Sequence, residues 1–290
     1  MYEFAQQLAA IAGEENVIDG AASGSEDFTH DESLHGEPSA PALIVRPTGA
    51  EQVAAILEAA TAAGVAVTAR GSGSGLSGSA VAPAGGLVID FSRMNKILSI
   101  DETNHTAVVQ PGVTLNELDA ATAERGLVYA VYPGEMSATI GGNIATNAGG
   151  MRAVRYGVTR ENVLGVQAVL ATGEIIRDGG AIVKRSSGYD LTQLIIGSEG
   201  GLALVTEATL KLRPRLPVRS TLLAPFADLD AVTAAVPAFL ASGLEPTLLE
   251  YIDALTMAAI VYTAEMELGI PDDVRDGAQA YLVVTIEQRD

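Results

Sequence analysis

Small residues alternate through Arg70-Gly71-Ser72-Gly73-Ser74-Gly75-Leu76-Ser77-Gly78. Successive residues without bulk let backbone N–H groups converge on one point, which makes an anion-binding hollow that needs no lysine. A pyrophosphate suits such a hollow. The chain carries 17 Lys and Arg against 36 Asp and Glu, a formal balance of −19 over 290 residues. An anionic ligand must therefore be held mainly by backbone dipoles. Gly73, Gly75 and Gly78 also spell the dinucleotide pattern, but that pattern has to open a helix, with an acidic residue about 20 positions on. Here 80–86 contains Pro83 and a glycine pair, and the next element reads as a strand ending in Asp90. The alternative, a plain surface turn, accounts poorly for regular alternation directly after an apolar strand.

Two further glycine-rich stretches share this character. Residues 132–150 are almost free of charge, their glycine pairs allow close approach to a flat ligand, and Ser137, Thr139 and Asn143 offer neutral hydrogen bonds. The third runs Gly197-Ser198-Glu199-Gly200-Gly201. Three such loops in one domain imply an extended ligand lying across it.

Other chemistry is excluded or discounted. Without Cys there is no disulfide, thiolate-bound zinc, iron–sulfur centre or thiol nucleophile. His30, Asp31 and His35 have a spacing that could clip a metal, yet they sit in a polar stretch that reads as plain surface, so no metal site is expected. His105 reads as a solvated turn residue. Arg152, Arg155, Arg160, Arg177, Lys184 and Arg185 would form either a positive rim or a solvated face, and the solvated face is the expectation. The acidic balance argues against nucleic acid. No apolar run reaches the roughly 18 to 20 residues of a membrane span, and the start lacks a basic signal region. A cytoplasmic protein is expected, any membrane contact being through a partner. No catalytic base can be assigned.

The elements that must position these loops alternate along the chain. Residues 1–40 read as one amphipathic segment and a polar stretch, a loose arm. Residues 43–46 form a strand, Thr48 and Glu51 a capping box, and Val53, Ile56, Leu57 and Ala60 the apolar face of a helix ended by Gly64. Strands follow at 65–69, 87–91, 97–100 and 106–110, then a second capping box, Thr114 with Glu117. Residues 203–213 alternate, with Leu204, Thr206, Ala208, Leu210 and Leu212 on the buried face. After the prolines at 214 and 217 the pattern is strand 219–225, helix 228–241, strand 247–251, helix 253–267 and strand 280–287. Ending on that apolar strand would leave an unpaired edge, so the second domain reads as cut short.

The pieces ARGSGSGLSG, TIGGNIATNAGG followed by RYG, ENVLGVQAVLATGE and GYDLTQLIIGSEGGLALVTEATLKL together resemble the flavin-binding half of the vanillyl-alcohol-oxidase superfamily. Within it they are most similar to FAD-linked D-2-hydroxyacid dehydrogenases, including the flavin subunit of glycolate oxidase. The resemblance covers roughly residues 40–215. It implies an α+β fold: an N-terminal arm (1–40), a two-subdomain PCMH-type FAD-binding domain (41–216), and an incomplete α/β cap domain (217–290). By carry-over Arg70, Gly71, Ser72, Gly73, Ser74, Gly75 and Leu76 wrap the pyrophosphate. Pro133, Gly134, Ser137, Thr139, Gly142 and Asn143 line the flavin end, and Glu199, Gly200 and Val205 complete the cleft. Relatives with covalent FAD carry His where this chain has Ser74, so non-covalent FAD is implied. So is a small anionic 2-hydroxy acid substrate such as glycolate or D-lactate, with electrons leaving to an acceptor protein or partner subunit. This stretch alone is expected not to turn over. The readings set below it are a UDP-N-acetylenolpyruvoylglucosamine reductase, the flavin subunit of a molybdenum hydroxylase, and a non-catalytic FAD-binding module.

Overall fold

The computed structural model describes residues 1–34 and 36–289. His35, one of the three residues weighed as a metal clip, lies outside the described residues.

The chain divides into two units, one built from 1–148 and 158–214, the other from 149–157 and the chain from Arg215 onward. In the first unit, α1 (Tyr2–Ala12) and β1 (Val17–Asp19) precede β2 (Leu43–Val45), α2 (Ala50–Ala63), β3 (Val67–Arg70) and β4 (Leu87–Asp90). The sheet order is β1-β2-β4-β3, with β2, β4 and β3 parallel and β1 antiparallel at the edge. Strands β2 and β4 are buried throughout, as parallel strands covered on both faces must be. The first nineteen residues are not a loose arm. Phe4, Leu8 and Ala12 recur at helical spacing and bury one stripe of α1 in the same core as α2, while β1 completes the sheet.

Helix α2 buries Val53, Ile56, Leu57 and Ala60 as expected, and Gly64 closes it in the left-handed conformation. Its start differs. Gly49 is the N-cap, and the Thr48 N–H and hydroxyl donate to Gln52 Oε1 at 2.8 and 3.1 Å, so the Thr48–Glu51 box does not form. The reaching side chain is one residue later because the helix starts one residue later.

The second sheet comprises β5 (Ile97–Asp101), β6 (Thr106–Val109), β7 (Leu127–Tyr129), β8 (Val163–Leu170), β9 (Ile175–Gly179) and β10 (Ala203–Pro214). Its order is β5-β6-β10-β8-β9, with β7 pairing the far end of β10. β10 alternates as its sequence predicts, burying Leu204, Thr206, Ala208, Leu210 and Leu212. Helix α3 (Leu115–Ala123) opens with the expected Thr114–Glu117 box. The helices α4 (Ile140–Thr146), α5 (Ala153–Tyr156), α6 (Thr159–Asn162) and α7 (Leu191–Ile195) are short. Each sheet has its own apolar cluster, and Val169 and Leu204 of the second sheet join the core of the first.

The second unit holds β11 (Val218–Phe226), α8 (Leu229–Ala241), β12 (Leu248–Asp253), α9 (Ala254–Ala264), α10 (Asp272–Gly277) and β13 (Ala280–Gln288). The order is β11-β13-β12. The last strand is therefore central, paired over its length on one side by β11 and on the other by β12. An unpaired apolar edge at 280–287 does not exist, because β13 inserts between the two earlier strands instead of adding outside them. Helix α5 belongs to this unit: Arg155 Nη1 donates to the Glu287 carbonyl at 3.1 Å, and Arg152 lies 3.7 Å from the Glu287 carboxylate. The fold is α+β, as expected.

Candidate cofactor site

The first unit contains a cleft, open at its mouth, where the ends of the two sheets meet. One wall is Ala69, Arg70 and Gly71 at the end of β3, with Phe91. The opposite wall is Pro111, Thr139 and the residues Gly141, Gly142, Ile144 and Ala145 of α4. Ile195, Ser198, Gly200 and the start of β10 (Ala203, Leu204, Val205) form the floor.

The packing explains the glycines. A Cβ on Gly71 would overlap Thr139 Oγ1, so the first loop and the start of α4 are in contact. A Cβ on Gly141 would sit 2.6 Å from Pro111 Cβ, and one on Gly200 3.3 Å from Leu204 Cδ2. Thr139 caps α4 by accepting from the Gly142 N–H at 3.3 Å. The second glycine stretch is thus partly helical: Ile140–Thr146 coil into α4, with Asn147 left-handed at its end. The third turn is laid onto this helix by Gly197 N–H to the Ile144 carbonyl and Glu199 N–H to the Ala145 carbonyl, both 2.9 Å. Glu199 holds a positive φ of 51°, and Ser77 reaches its carboxylate at 3.4 Å. All three glycine segments are in this way tied together.

Of the residues predicted from the sequence, Arg70, Gly71, Thr139, Gly142, Gly200 and Val205 line the cleft. Ser72, Gly73, Ser74, Gly75 and Leu76 continue outward along the first loop, with Leu76 77% exposed. Pro133, Gly134 and Ser137 lie in the turn before Thr139, outside the cleft lining. Asn143 is buried between the lining residues Gly142 and Ile144, and its Nδ2 has no partner. Ser198 Oγ, on the floor, is also buried and unpartnered. Sequence reasoning quoted Ser198 without assigning it a place, and it missed Phe91, Pro111, Ile144 and Ile195. Their types carry no signal of their own, and only the sheet topology brings them here.

Arg70 is not an open cation. Its guanidinium donates to the carbonyls of Asp27 (2.6 Å), His30 (2.8 Å) and Ala80 (3.3 Å) and lies 5.3 Å from the centre of the Phe28 ring. Asp31, set aside as plain surface, is buried. Burial works to raise its pKa, but hydrogen bonding from Ser33, with the Gly78 and Ala80 backbone nearby, outweighs this and holds it below the ordinary value. Five of the six cations at 152–185 have partners of their own. Arg152 and Arg155 pair with Glu287 and Glu245, Arg160 donates to the Ile196 carbonyl, Arg177 pairs with Glu207 and Arg185 with Asp178.

Apart from Arg70, the lining described carries no ionisable side chain. The cleft therefore offers close backbone approach, apolar walls and two unmatched neutral hydrogen-bonding groups, with a small-residue loop at one end. That arrangement fits a long ligand with an uncharged planar part and a phosphate end, and it does not supply acid–base chemistry.

Comparison with known proteins agrees with this geometry. Residues 41–190 match the FAD binding domain family, and residues 215–290 match the C-terminal domain of FAD linked oxidases. An uncharacterised FAD-linked oxidoreductase of Mycobacterium tuberculosis is 60% identical over 289 residues, which is 100% of this chain and 63% of the relative. A D-lactate dehydrogenase of Anaerostipes hadrus is 41% identical, covering 91% of this chain and 55% of its own length. A glycolate oxidase subunit of Bacillus subtilis is 40% identical, with 98% and 58% covered. This chain thus spans somewhat over half the length of the curated relatives it matches. Among solved structures, alkyldihydroxyacetonephosphate synthase has the same fold, with a TM-score of 0.81 at 22% identity, covering 99% of this chain and 56% of that one. On the family match and the cleft together, this chain belongs to the FAD-binding domain family of the FAD-linked oxidases, and its cofactor is FAD.

Proposed function

We propose that this protein oxidises a small D-2-hydroxy acid, of the size of glycolate or D-lactate, to the 2-oxo acid. The observation that carries the reading is the neutral cleft formed by all three glycine segments, in a chain about 40% identical to proteins named D-lactate dehydrogenase and glycolate oxidase subunit. When bound, FAD supplies the hydride acceptor for such a reaction. The residues here hold and orient it. Backbone N–H groups of 71–76 take the pyrophosphate, with Arg70 shaping that loop. Thr139, Gly142, Asn143, Gly200 and Val205 flank the flavin end, with Pro133, Gly134, Ser137 and Glu199 at its margins. Ala69, Phe91, Pro111 and Leu204 exclude water from the cleft walls. Attachment is non-covalent, since Ser74 stands in the first loop and the chain has no Cys. In this reading 41–216 is the FAD-binding domain and 217–290 belongs to the cap. No base lines the cleft, so the group that takes the hydroxyl proton comes from outside that lining.

Because this stretch alone is expected not to turn over, the test uses FAD-loaded protein of the length of its curated relatives, mixed anaerobically with D-lactate, L-lactate, glycolate, NADH and NADPH while the flavin absorbance is followed. Bleaching by a D-2-hydroxy acid and not by the reduced nicotinamides is the expected result. Rapid bleaching by NADPH alone would overturn the reading in favour of a reductase.

A further inference from the structure

The segment just before the first sheet's second strand grips the glycine loop at several points. Arg70 Nη2 and Nη1 reach back to the carbonyls of Asp27 and His30, and the same guanidinium bonds the Ala80 carbonyl at the far end of the loop. Glu32 N–H donates to the Gly75 carbonyl at 2.9 Å, at the middle of the loop. Asp31 is buried beside the loop, its Oδ1 accepting from the Ser33 N–H at 3.0 Å and its Oδ2 next to Gly75 without a hydrogen-bond partner. The Phe28 ring lies beneath Arg70, and its other contacts are with Ile44, Ala82 and Val88, a small cluster on the first sheet. Arg46 lies 5.9 Å from the same ring and is fixed by Asp90 at 2.7 Å.

This arrangement divides the loop. The Gly75 and Ala80 carbonyls are taken by Glu32 and Arg70, whereas the N–H groups of 71–76 donate to no group among the described residues. Gly73 sits at φ +75° with the Arg70 guanidinium against its α-carbon, so the loop follows the shape of that side chain. We infer that residues 27–32 are a built-in collar that holds the glycine loop in its phosphate-receiving shape, with Phe28, Asp31 and Arg70 as positioning residues. The inference rests on the proposed reading that 71–76 holds the FAD pyrophosphate, and extends it to Phe28 and Asp31, which do not line the cleft.

The collar acts on the phosphate end alone, which separates it from a general structural role. The chain, freed of flavin, is titrated with FAD and separately with ADP, which carries the pyrophosphate without the flavin. Asp31→Asn and Arg70→Lys are expected to weaken both ligands by the same factor, about tenfold, as losing a charged hydrogen bond would. The bound-flavin spectrum at saturation should not change. Phe28→Leu, which keeps an apolar support, guards against a variant that does not fold and should weaken both ligands about threefold. Variants that keep wild-type affinity for both ligands well below their melting temperatures overturn the collar. So does a loss larger for FAD than for ADP, which would mean general deformation of the cleft. A wild-type chain that binds ADP but not FAD would remove the underlying reading of the cleft, and the collar with it.

Discussion

Replacing Gly71 with alanine tests the contact on which the cleft depends. The new methyl would overlap Thr139 Oγ1 and lie 3.2 Å from Thr139 Cβ and 3.5 Å from Cγ2. Gly71 is not among the residues with positive φ, so the backbone accepts alanine and the steric overlap is the whole effect. Thr139 is 6% exposed and caps α4 through Gly142, so swinging its hydroxyl aside uncaps the helix. A lost cap costs about 1 kcal/mol and overpacking about 1–3 kcal/mol. Gly71→Ala should therefore destabilise the flavin-free protein by about 2–4 kcal/mol. Thr139→Ala alone should cost about 1 kcal/mol, the cap. In the double variant the methyl no longer meets a hydroxyl, so its total should fall short of the sum by at least about 1 kcal/mol. Urea unfolding of the four proteins, extrapolated linearly, measures the cycle, and FAD titration alongside should show affinity partly regained in the double variant. Strict additivity would refute the contact and with it the joining of the first two segments.

Asp178 accepts from both Arg185 and Thr192, and these bonds, chiefly the one from Arg185, hold its pKa down at about 2. A depressed carboxylate contributes stability that is present above its ordinary pKa and lost as the pH falls toward the folded value. Asp178→Asn should lower stability at neutral pH by about 1–2 kcal/mol. The wild-type and variant unfolding curves should converge between pH 4 and pH 2, and a gap that stays constant through that window would contradict the assignment. Acid precipitation of the yellow protein should leave the colour in the supernatant, because neither Ser74 nor any thiol offers a flavin attachment; a pellet that keeps it would show a covalent link.

What the sequence made legible follows from where local chemistry decides the structure. β10 reads correctly because one face is fully buried and the other only half-buried, so its period is visible. The Thr114 box is local and complete within four residues. In the glycine segments, packing on Thr139 and Pro111 leaves Gly71 and Gly141 no room for a side chain, and Gly73, Gly78, Gly134 and Gly200 hold positive φ. Elsewhere the deciding partner is distant. Asp31 looks like surface in a polar stretch, and only the return of the chain at 78–80 buries it. Arg70 looks like a phosphate ligand until three carbonyls, two of them about forty residues earlier in the chain, are found on its guanidinium. The last strand looks like an edge because sequence order does not reveal insertion between β11 and β12. The helix in 140–146 hides in a run whose two glycines are poor helix formers, and the Thr139 cap with packing on Pro111 overrides that propensity.

In the proposed reading three glycine segments, distant in sequence, jointly hold FAD in one cleft of the first unit. Hydrogen exchange of the flavin-free protein with and without saturating FAD, read peptide by peptide, tests it most directly. Protection gained on binding should fall in 70–78, 139–146 and 197–205 together, while the strands of the second unit are unchanged. Protection confined to one of the three segments, or centred in 215–289, would contradict it.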